Sequence, residues 1–327
     1  MLLTRRSEQG AGRATVQRVR IPWSARELGR VKARTFTLEQ RTEPGNGVRE
    51  HGGMLGAALT GSRTVAYRPR VPADRLLVDR VALITGAASG QGRAAAELFA
   101  AHGAAIVVAD LDDDGVFETV ARVEKEGGAA SAVHADVSRP DDCDAIVKMA
   151  LDEYGRIDVL YNNAAIQMSG TLVETTEAMW DITIATNLTA IFRTCRAALP
   201  HMLEAGRGSI INTSSTLGQQ GSQGYAAYGA AKAGLIALTR QIAVEYGPEV
   251  RANVIAPGSI DTPRFRRVAE RIDDPDSFLA MLQRTIPLRR LGLAEDVASV
   301  ALFLASDESR YTSGAVIPCD GGLAAYR

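Results

Sequence analysis

Short apolar runs alternate with stretches of helical periodicity from Asp79 to the end of the chain, and that alternation admits few folds. Residues 80–84, 105–109, 130–135, 158–161, 209–212, 251–255 and 315–317 read as strands. Residues 90–102, 115–126, 141–154, 225–246 and 294–305 read as helices, and two further helical stretches lie between the fourth and fifth strands. Neighbouring parallel strands need a crossover, which a helix supplies. The repeated strand–helix order therefore predicts an α/β doubly wound parallel sheet of about seven strands, with helices on both faces. Sheets of this kind hold ligands beyond the carboxyl ends of their strands.

The first 78 residues are a different material. They carry fifteen Lys and Arg against six Asp and Glu, whereas the other 249 residues carry 22 against 32. About 250 residues suffice for one α/β domain, so a single domain is expected over 79–327. Residues 1–78 then form a basic extension, disordered or irregular. Glutamates interrupt its arginines, which follow no helical face, and aromatics are sparse (Trp23, Phe36, Tyr67), so neither a nucleic-acid arm nor a targeting peptide is favoured. Arg5 and Arg6 come too early for a signal peptide. Met54 offers an alternative start, and a chain beginning there is expected to stay active. No apolar run approaches the roughly 20 residues that cross a bilayer, so no membrane partner is expected. Cys143, Cys195 and Cys319 lack CxxC spacing, and His51, His102, His134 and His201 lack paired-ligand spacing. Neither a disulfide framework nor a metal is expected, and a reducing cytoplasm fits best.

The turn after the first strand contains Gly86, Gly90 and Gly92, with Ser89 and Gln91 among them. Glycines there let a pyrophosphate approach the free N–H groups of a helix N-terminus. A glycine cluster alone is equally a plain turn, and the next strand supplies context. It ends in Asp110, eighteen positions past Gly92, where an acidic side chain would meet an adenosine ribose 2′-hydroxyl. A carboxylate accepts from that hydroxyl and repels a 2′-phosphate, and no Lys or Arg lies inside the turn, so NAD is expected over NADP. The plainer alternative is that Asp110, followed by Leu111 and three aspartates, is a strand-end turn residue.

The chain resembles the short-chain dehydrogenase/reductase family at several separated places, from about Asp79 to Leu323. Thr85 to Gly92 matches its TGxxxGxG pattern, with Gln91 where Ile is common, and Asn162-Asn163-Ala164-Ala165 looks like its NNAG motif with Ala165 for Gly. Pro257-Gly258-Ser259-Ile260-Asp261-Thr262 is similar to its PG motif. The resemblance implies a Rossmann-type fold. It places Asn163 and Ala164 beside the adenine and ribose, and Asp136 and Val137 at the adenine ring. The backbone after Pro257 and Gly258, through Ile260, would hold the nicotinamide carboxamide together with Thr262.

Tyr228 and Lys232 are four positions apart in an alanine-rich helical stretch, so both emerge on one face, one turn apart. Tyrosine ionises near pH 10, and serving as a base near neutrality requires its anion to be stabilised by about 4 kcal/mol. An ammonium and a cationic nicotinamide could provide that. YxxxK is common on helix surfaces, but Ser215, thirteen residues upstream and just past a strand end, has the setting of the family's catalytic serine. The resemblance implies that Ser215 and Tyr228 bind the substrate oxygen, that Tyr228 exchanges the proton, and that Lys232 binds the nicotinamide ribose. Asn187 would hold a water linking Lys232 to solvent; its alternative is a helix cap or kink residue. Two decoys separate by spacing: Tyr225 has Gly229 four positions on, and Ser214 points away from Ser215 if strand geometry persists.

The expected function is interconversion of a secondary alcohol and a ketone with NAD(H). The alternatives are reduction of 3-oxoacyl thioesters with NADPH, and dinucleotide sensing without catalysis. Residues 264–290 read as one or two amphipathic helices forming an apolar lid with Phe265, Phe278, Leu279, Met281 and Leu282. Ala226, Ala230, Ala233, Gly234 and Ala237 permit close packing of the Tyr228 helix, and the tail around Gly314 and Gly321 resembles that of tetrameric members, so a homotetramer or homodimer is expected.

Overall fold

The first strand, β1 (Val81–Thr85), is buried along its whole length, as an apolar run flanked by strands and covered by helices should be. The computed structural model describes residues 75–325, so the readings of residues 1–74 lie outside the described residues. After β1 come α1 (Gly90–Ala101), β2 (Ala105–Asp110), α2 (Asp113–Lys125), β3 (Ala129–His134), α3 (Pro140–Tyr154) and β4 (Val159–Asn162). Next are α4 (Glu177–Ile184), α5 (Ala190–Glu204), β5 (Gly208–Thr213), α6 (Ala226–Glu245) and β6 (Val250–Pro257). The chain continues through β7 (Ile260–Asp261), α7 (Pro263–Ala269), α8 (Pro275–Thr285), β8 (Gly292–Leu293), α9 (Ala294–Ala305) and β9 (Val316–Cys319).

Seven strands pair in parallel in the order β3-β2-β1-β4-β5-β6-β9, and β7 and β8 form a separate parallel pair. The doubly wound expectation is met. Strand order reverses between β1 and β4, which opens a crevice beyond their carboxyl ends. Successive residues of each strand face opposite layers. Ile84, Val108, Tyr161 and Ile211 pack on the side of α1 and α9, while Leu83, Val107, Leu160 and Ile210 pack on the side of α3 and α5. The two helical stretches after β4 are joined without a break by a π-helical turn, Ala185–Thr189.

The packed body starts ahead of the composition break. Leu77 is fully buried among the α1 and α9 side chains, and its N–H donates to the His102 carbonyl at 2.9 Å. At the amino ends of the strands, the buried Asp158 carboxylate accepts from the Val81 N–H (2.9 Å) and holds Arg156 (2.8 Å) and Arg207 (2.9 Å), with Arg80 at 3.7 Å. Asp158→Asn removes the carboxylate that, among the described residues, these guanidiniums share, and should cost about 3 kcal/mol in denaturant unfolding. Because this cluster lies at the far end of the sheet from the crevice, turnover should change little.

Candidate active site

The glycine turn is closed by contacts that no larger side chain would allow. Gly86 has φ +67°, and a Cβ there would lie 2.7 Å from Ala164 Cα; a Cβ on Gly92 would lie 2.2 Å from the Gly86 carbonyl oxygen. Asn163 stitches the two segments together. Its Nδ2 donates to the carbonyls of Thr85 (3.2 Å) and Gly86 (3.0 Å), while Thr85 Oγ1 accepts from the N–H groups of Asn163 and Ala164, both at 3.1 Å. Asn163 is thus a brace for the turn, a role the sequence reading did not assign.

Ser89 precedes α1 with extended backbone and no side-chain cap, so the first-turn N–H groups are not claimed by its hydroxyl. The Gln91 amide oxygen is buried without a partner. Thr262 approaches from the other side of the crevice: its Cγ2 would lie 3.2 Å from a Cβ on Gly90, and its Oγ1 caps α7 by accepting from Phe265 N–H at 3.3 Å. Asp320 fills the space beside Gly258, and Ile260 is buried. A backbone cradle with an unclaimed helix N-terminus, an orphan amide and a second loop closing over it fits a dinucleotide.

Asp110 is held by its own strand-end turn and by the glycine turn. Its Oδ2 accepts from the Ala88 N–H of the glycine turn at 3.0 Å, and its Oδ1 accepts from Leu111 N–H at 2.7 Å and Asp112 N–H at 3.3 Å. Arg93, just past Gly92, is drawn away by Glu118 (2.8 Å) and by the Ala88 and Gly115 carbonyls. At the end of β3, the Asp136 N–H donates to Asp142 at 2.9 Å and Val137 is buried.

A fully buried polar ladder fixes α5 and α6 to the sheet. Thr194 Oγ1 donates to Asn162 Oδ1 (2.8 Å), Asn162 Nδ2 to Asn212 Oδ1 (2.9 Å), and Asn212 Nδ2 to Thr239 Oγ1 (2.9 Å). Every rung is satisfied, which makes such a network a rigid positioning device. It sets Tyr228 and Lys232 on the inner face of α6, both buried. Ser214 Oγ donates to the Lys232 carbonyl at 2.9 Å, whereas Ser215 Oγ accepts from Leu217 N–H at 3.1 Å. The two serines do diverge. Tyr225 packs edge-on to Tyr228, ring centroids 6.5 Å apart.

Lys232 is held by backbone beside Tyr228. Its Nζ donates to the Thr213 carbonyl at 2.6 Å and lies 5.6 Å from the centre of the Tyr228 ring. Burial, then the nearby Arg264 charge, pushes its pKa down to about 7. Burial also holds the Tyr228 hydroxyl above its ordinary pKa; the Arg264 charge and hydrogen bonds from Ser215 and Arg264 oppose this.

Arg264, in the first turn of α7, was read in sequence only as the edge of a lid. Its Nη1 donates to the Ala165 carbonyl at 2.7 Å and its Nη2 to Gln167 Oε1 at 3.4 Å. It therefore ties α7 to the segment that closes the glycine turn, and its charge acts on Tyr228 and Lys232. Both polar atoms of the Asn187 side chain are engaged by Ile166: Oδ1 accepts from its N–H (2.9 Å) and Nδ2 donates to its carbonyl (2.8 Å). It sits in the π turn, so the kink reading holds. Helices α7 and α8 cover residues of the expected lid, and α8 has no fully buried side chain. Cys143 and Cys195 are free and buried, with thiols pushed up to about 11 and about 12 by desolvation.

Fold and site together define a dinucleotide-binding α/β oxidoreductase. Residues 86–324 match the family described as enoyl-(acyl carrier protein) reductase, and the chain belongs to the short-chain dehydrogenase/reductase family. It is an oxidoreductase acting on CH–OH groups. It is 41% identical to the 3-oxoacyl-(acyl-carrier-protein) reductase FabG of Thermotoga maritima, over 76% of this chain and 98% of that protein. It is 38% identical to 3beta-hydroxysteroid dehydrogenase 1 of Eggerthella lenta, over 76% and 95%. Among solved structures, levodione reductase superposes with a TM-score of 0.75 at 36% identity, covering 77% of this chain and all of that one.

Proposed function

We propose that the protein interconverts a secondary alcohol and a ketone with NAD(H), using Tyr228 as the general acid and base. The observation that carries this reading is the burial of Tyr228 and Lys232 side by side on α6, with Lys232 Nζ 5.6 Å from the tyrosine ring centre and Ser215 two residues past the end of β5. When bound, the nicotinamide supplies and accepts the hydride. The N–H groups of the Gly86–Gly92 turn hold the pyrophosphate, Asp110 the adenosine ribose, Asp136, Val137 and Ala164 border the adenine end, and Pro257 to Thr262 border the nicotinamide. Ser215 orients the substrate oxygen. Tyr228 takes the hydroxyl proton in oxidation and returns one in reduction. Lys232 binds the nicotinamide ribose. Asn187, fixed to Ile166 in the π turn, holds a water between Lys232 and solvent in this reading.

NAD is preferred in this reading because Asp110 faces the ribose position while Arg93, the nearest cation after the turn, is held by Glu118. Asp110→Ser should narrow the NAD-over-NADP ratio of kcat/KM by at least about tenfold, or roughly 1.4 kcal/mol. A parent enzyme that already prefers NADP would refute the argument. A second reading, reduction of 3-oxoacyl thioesters with NADPH, is favoured by the likeness to the Thermotoga maritima reductase. Absorbance of the reduced nicotinamide, followed with both coenzymes across alcohols, ketones and a 3-oxoacyl thioester, separates the two. Exposed Ala230, Ala233 and Ala237 on the outer face of α6 support close packing of a second copy, in a homotetramer or homodimer. The free cysteines suit the reducing cytoplasm.

A further inference from the structure

One peptide group of the glycine turn is held from both sides. The Ala87 carbonyl accepts from Thr119 Oγ1 at 2.9 Å, and the Ala88 N–H of the same peptide donates to Asp110 Oδ2 at 3.0 Å. In a trans peptide the C=O and N–H point in opposite directions, so Thr119 and Asp110 grip it from opposite sides and fix its rotation. Thr119, on α2, is fully buried, and its oxygen accepts from Arg93 Nε at 3.0 Å. Its own proton is then left for the Ala87 carbonyl or for that of Gly115, at 3.0 Å. Arg93 Nη2 also donates to the carbonyls of Ala88 and Gly115 and holds Glu118 at 2.8 Å. Glu118, Arg93, Thr119, the 87–88 peptide and Asp110 are therefore consecutive members of one hydrogen-bonded chain. The two segments are also pressed together: a Cβ on Gly115 would lie 2.6 Å from Ala88 Cβ, so the start of α2 lies directly on the turn.

We infer that Arg93 and Thr119 are positioning residues for coenzyme choice: through the 87–88 peptide they hold the Asp110 carboxylate where it accepts an adenosine ribose 2′-hydroxyl and repels a 2′-phosphate. This rests on the NAD reading above. Discrimination of this kind depends on stiffness. A carboxylate free to turn aside relieves its repulsion of a phosphate, whereas one fixed in place cannot. Asp110 Oδ1 is tied to its own turn by the N–H groups of Leu111 and Asp112, and the bond from Ala88 N–H is what ties Oδ2 to the glycine turn. A hydrogen bond accepted by a peptide carbonyl polarises the peptide and strengthens the bond its N–H donates, so loss of the Thr119 proton is felt at Asp110. Arg93 acts in this way without touching the coenzyme.

Arg93→Met and Thr119→Val each break the chain while keeping most of the side-chain shape. Dissociation constants of NAD and NADP, measured by calorimetry on the full chain without substrate, should show the preference for NAD narrowed by about five- to tenfold in either variant. Turnover at saturating coenzyme should keep its kcat within about twofold of the parent. In the Asp110→Ser background neither substitution should narrow the preference further, because the carboxylate through which they act is gone. Equal weakening of both coenzymes, with the preference intact, overturns the inference and leaves Arg93 and Thr119 as fold-stabilising residues. A narrowing that adds in full to that of Asp110→Ser overturns it as well. If Arg93→Met does not fold, Thr119→Val decides alone. A parent that prefers NADP, or one whose preference Asp110→Ser does not move, sinks the reading beneath; an intact preference in Arg93→Met and Thr119→Val beside a shifted one in Asp110→Ser sinks this inference only.

Discussion

Tyr228→Phe should lower turnover by about 10³-fold while leaving the coenzyme dissociation constant within about threefold. The substitution removes one oxygen and keeps the ring that packs against Tyr225, so the fold should persist. What disappears is the proton donor and acceptor, a contribution of roughly 10²–10⁴ in rate. The pH profile gives the same group an independent signature. Burial raises the Tyr228 pKa, so the protonated form that reduction needs dominates at neutral pH. Ketone reduction should hold up near neutrality and fall as pH rises through the Tyr228 pKa, while alcohol oxidation should climb over the same range. Lys232, at about 7, is a cation below neutrality and loses its charge above it until a bound partner restores it. Stopped-flow or steady-state rates in both directions read these limbs. Residual turnover within tenfold of the parent would remove Tyr228 from proton transfer.

Gly92→Ala should be the most damaging small substitution in the coenzyme cradle. In an open helix, replacing Gly by Ala gains up to about 1 kcal/mol. Here the added Cβ would lie 2.2 Å from the Gly86 carbonyl oxygen and 2.8 Å from Asn163 Nδ2, and neither neighbour can withdraw, since one is backbone and the other is the brace. Overpacking of this sort costs about 1–3 kcal/mol. The expected result is a lower thermal midpoint together with coenzyme affinity weakened by at least about tenfold, read by unfolding with and without coenzyme. Gly221→Ala is the control. Its Cβ would meet nothing within 4 Å, and it should behave as the parent does. Unaltered coenzyme binding by Gly92→Ala would mean that the turn does not cradle the pyrophosphate.

The regular elements were legible because each is written in its own few residues. The predicted helix over 294–305 coincides with α9 at both ends, and the seven strands fall within two residues of their predicted bounds. Ser215, Tyr228 and Lys232 were legible from spacing, and the structure brings them together. What escaped depends on partners far along the chain. Asn163 reads as a coenzyme neighbour until Thr85 and Gly86 are seen beside it, and Asn212 is only a strand end until Asn162 and Thr239 bracket it. Leu77 lay on the wrong side of a composition break because composition averages over many residues, whereas burial belongs to one. Arg264 carried no local signal that set it apart from Arg266 and Arg267; its hydrogen bond to the Ala165 carbonyl exists only once α7 packs at the crevice. The electrostatics of Lys232 escaped for a related reason, since helical spacing sets direction but not depth.

The π turn sets the rotational phase between two helices that would otherwise be one. An α-helix advances by about 100° per residue, so the wider turn at Ala185–Thr189 offsets α5 from α4 by a fraction of a revolution. That offset lets Asn187 face Ile166 while Thr194, seven residues on, faces Asn162. A regular helix through the same residues would satisfy one of these contacts and swing the other side chain away. The irregularity thus acts as a gear tooth between the segment that grips Ile166 and the polar ladder, and excising one residue there would disengage both from a common alignment.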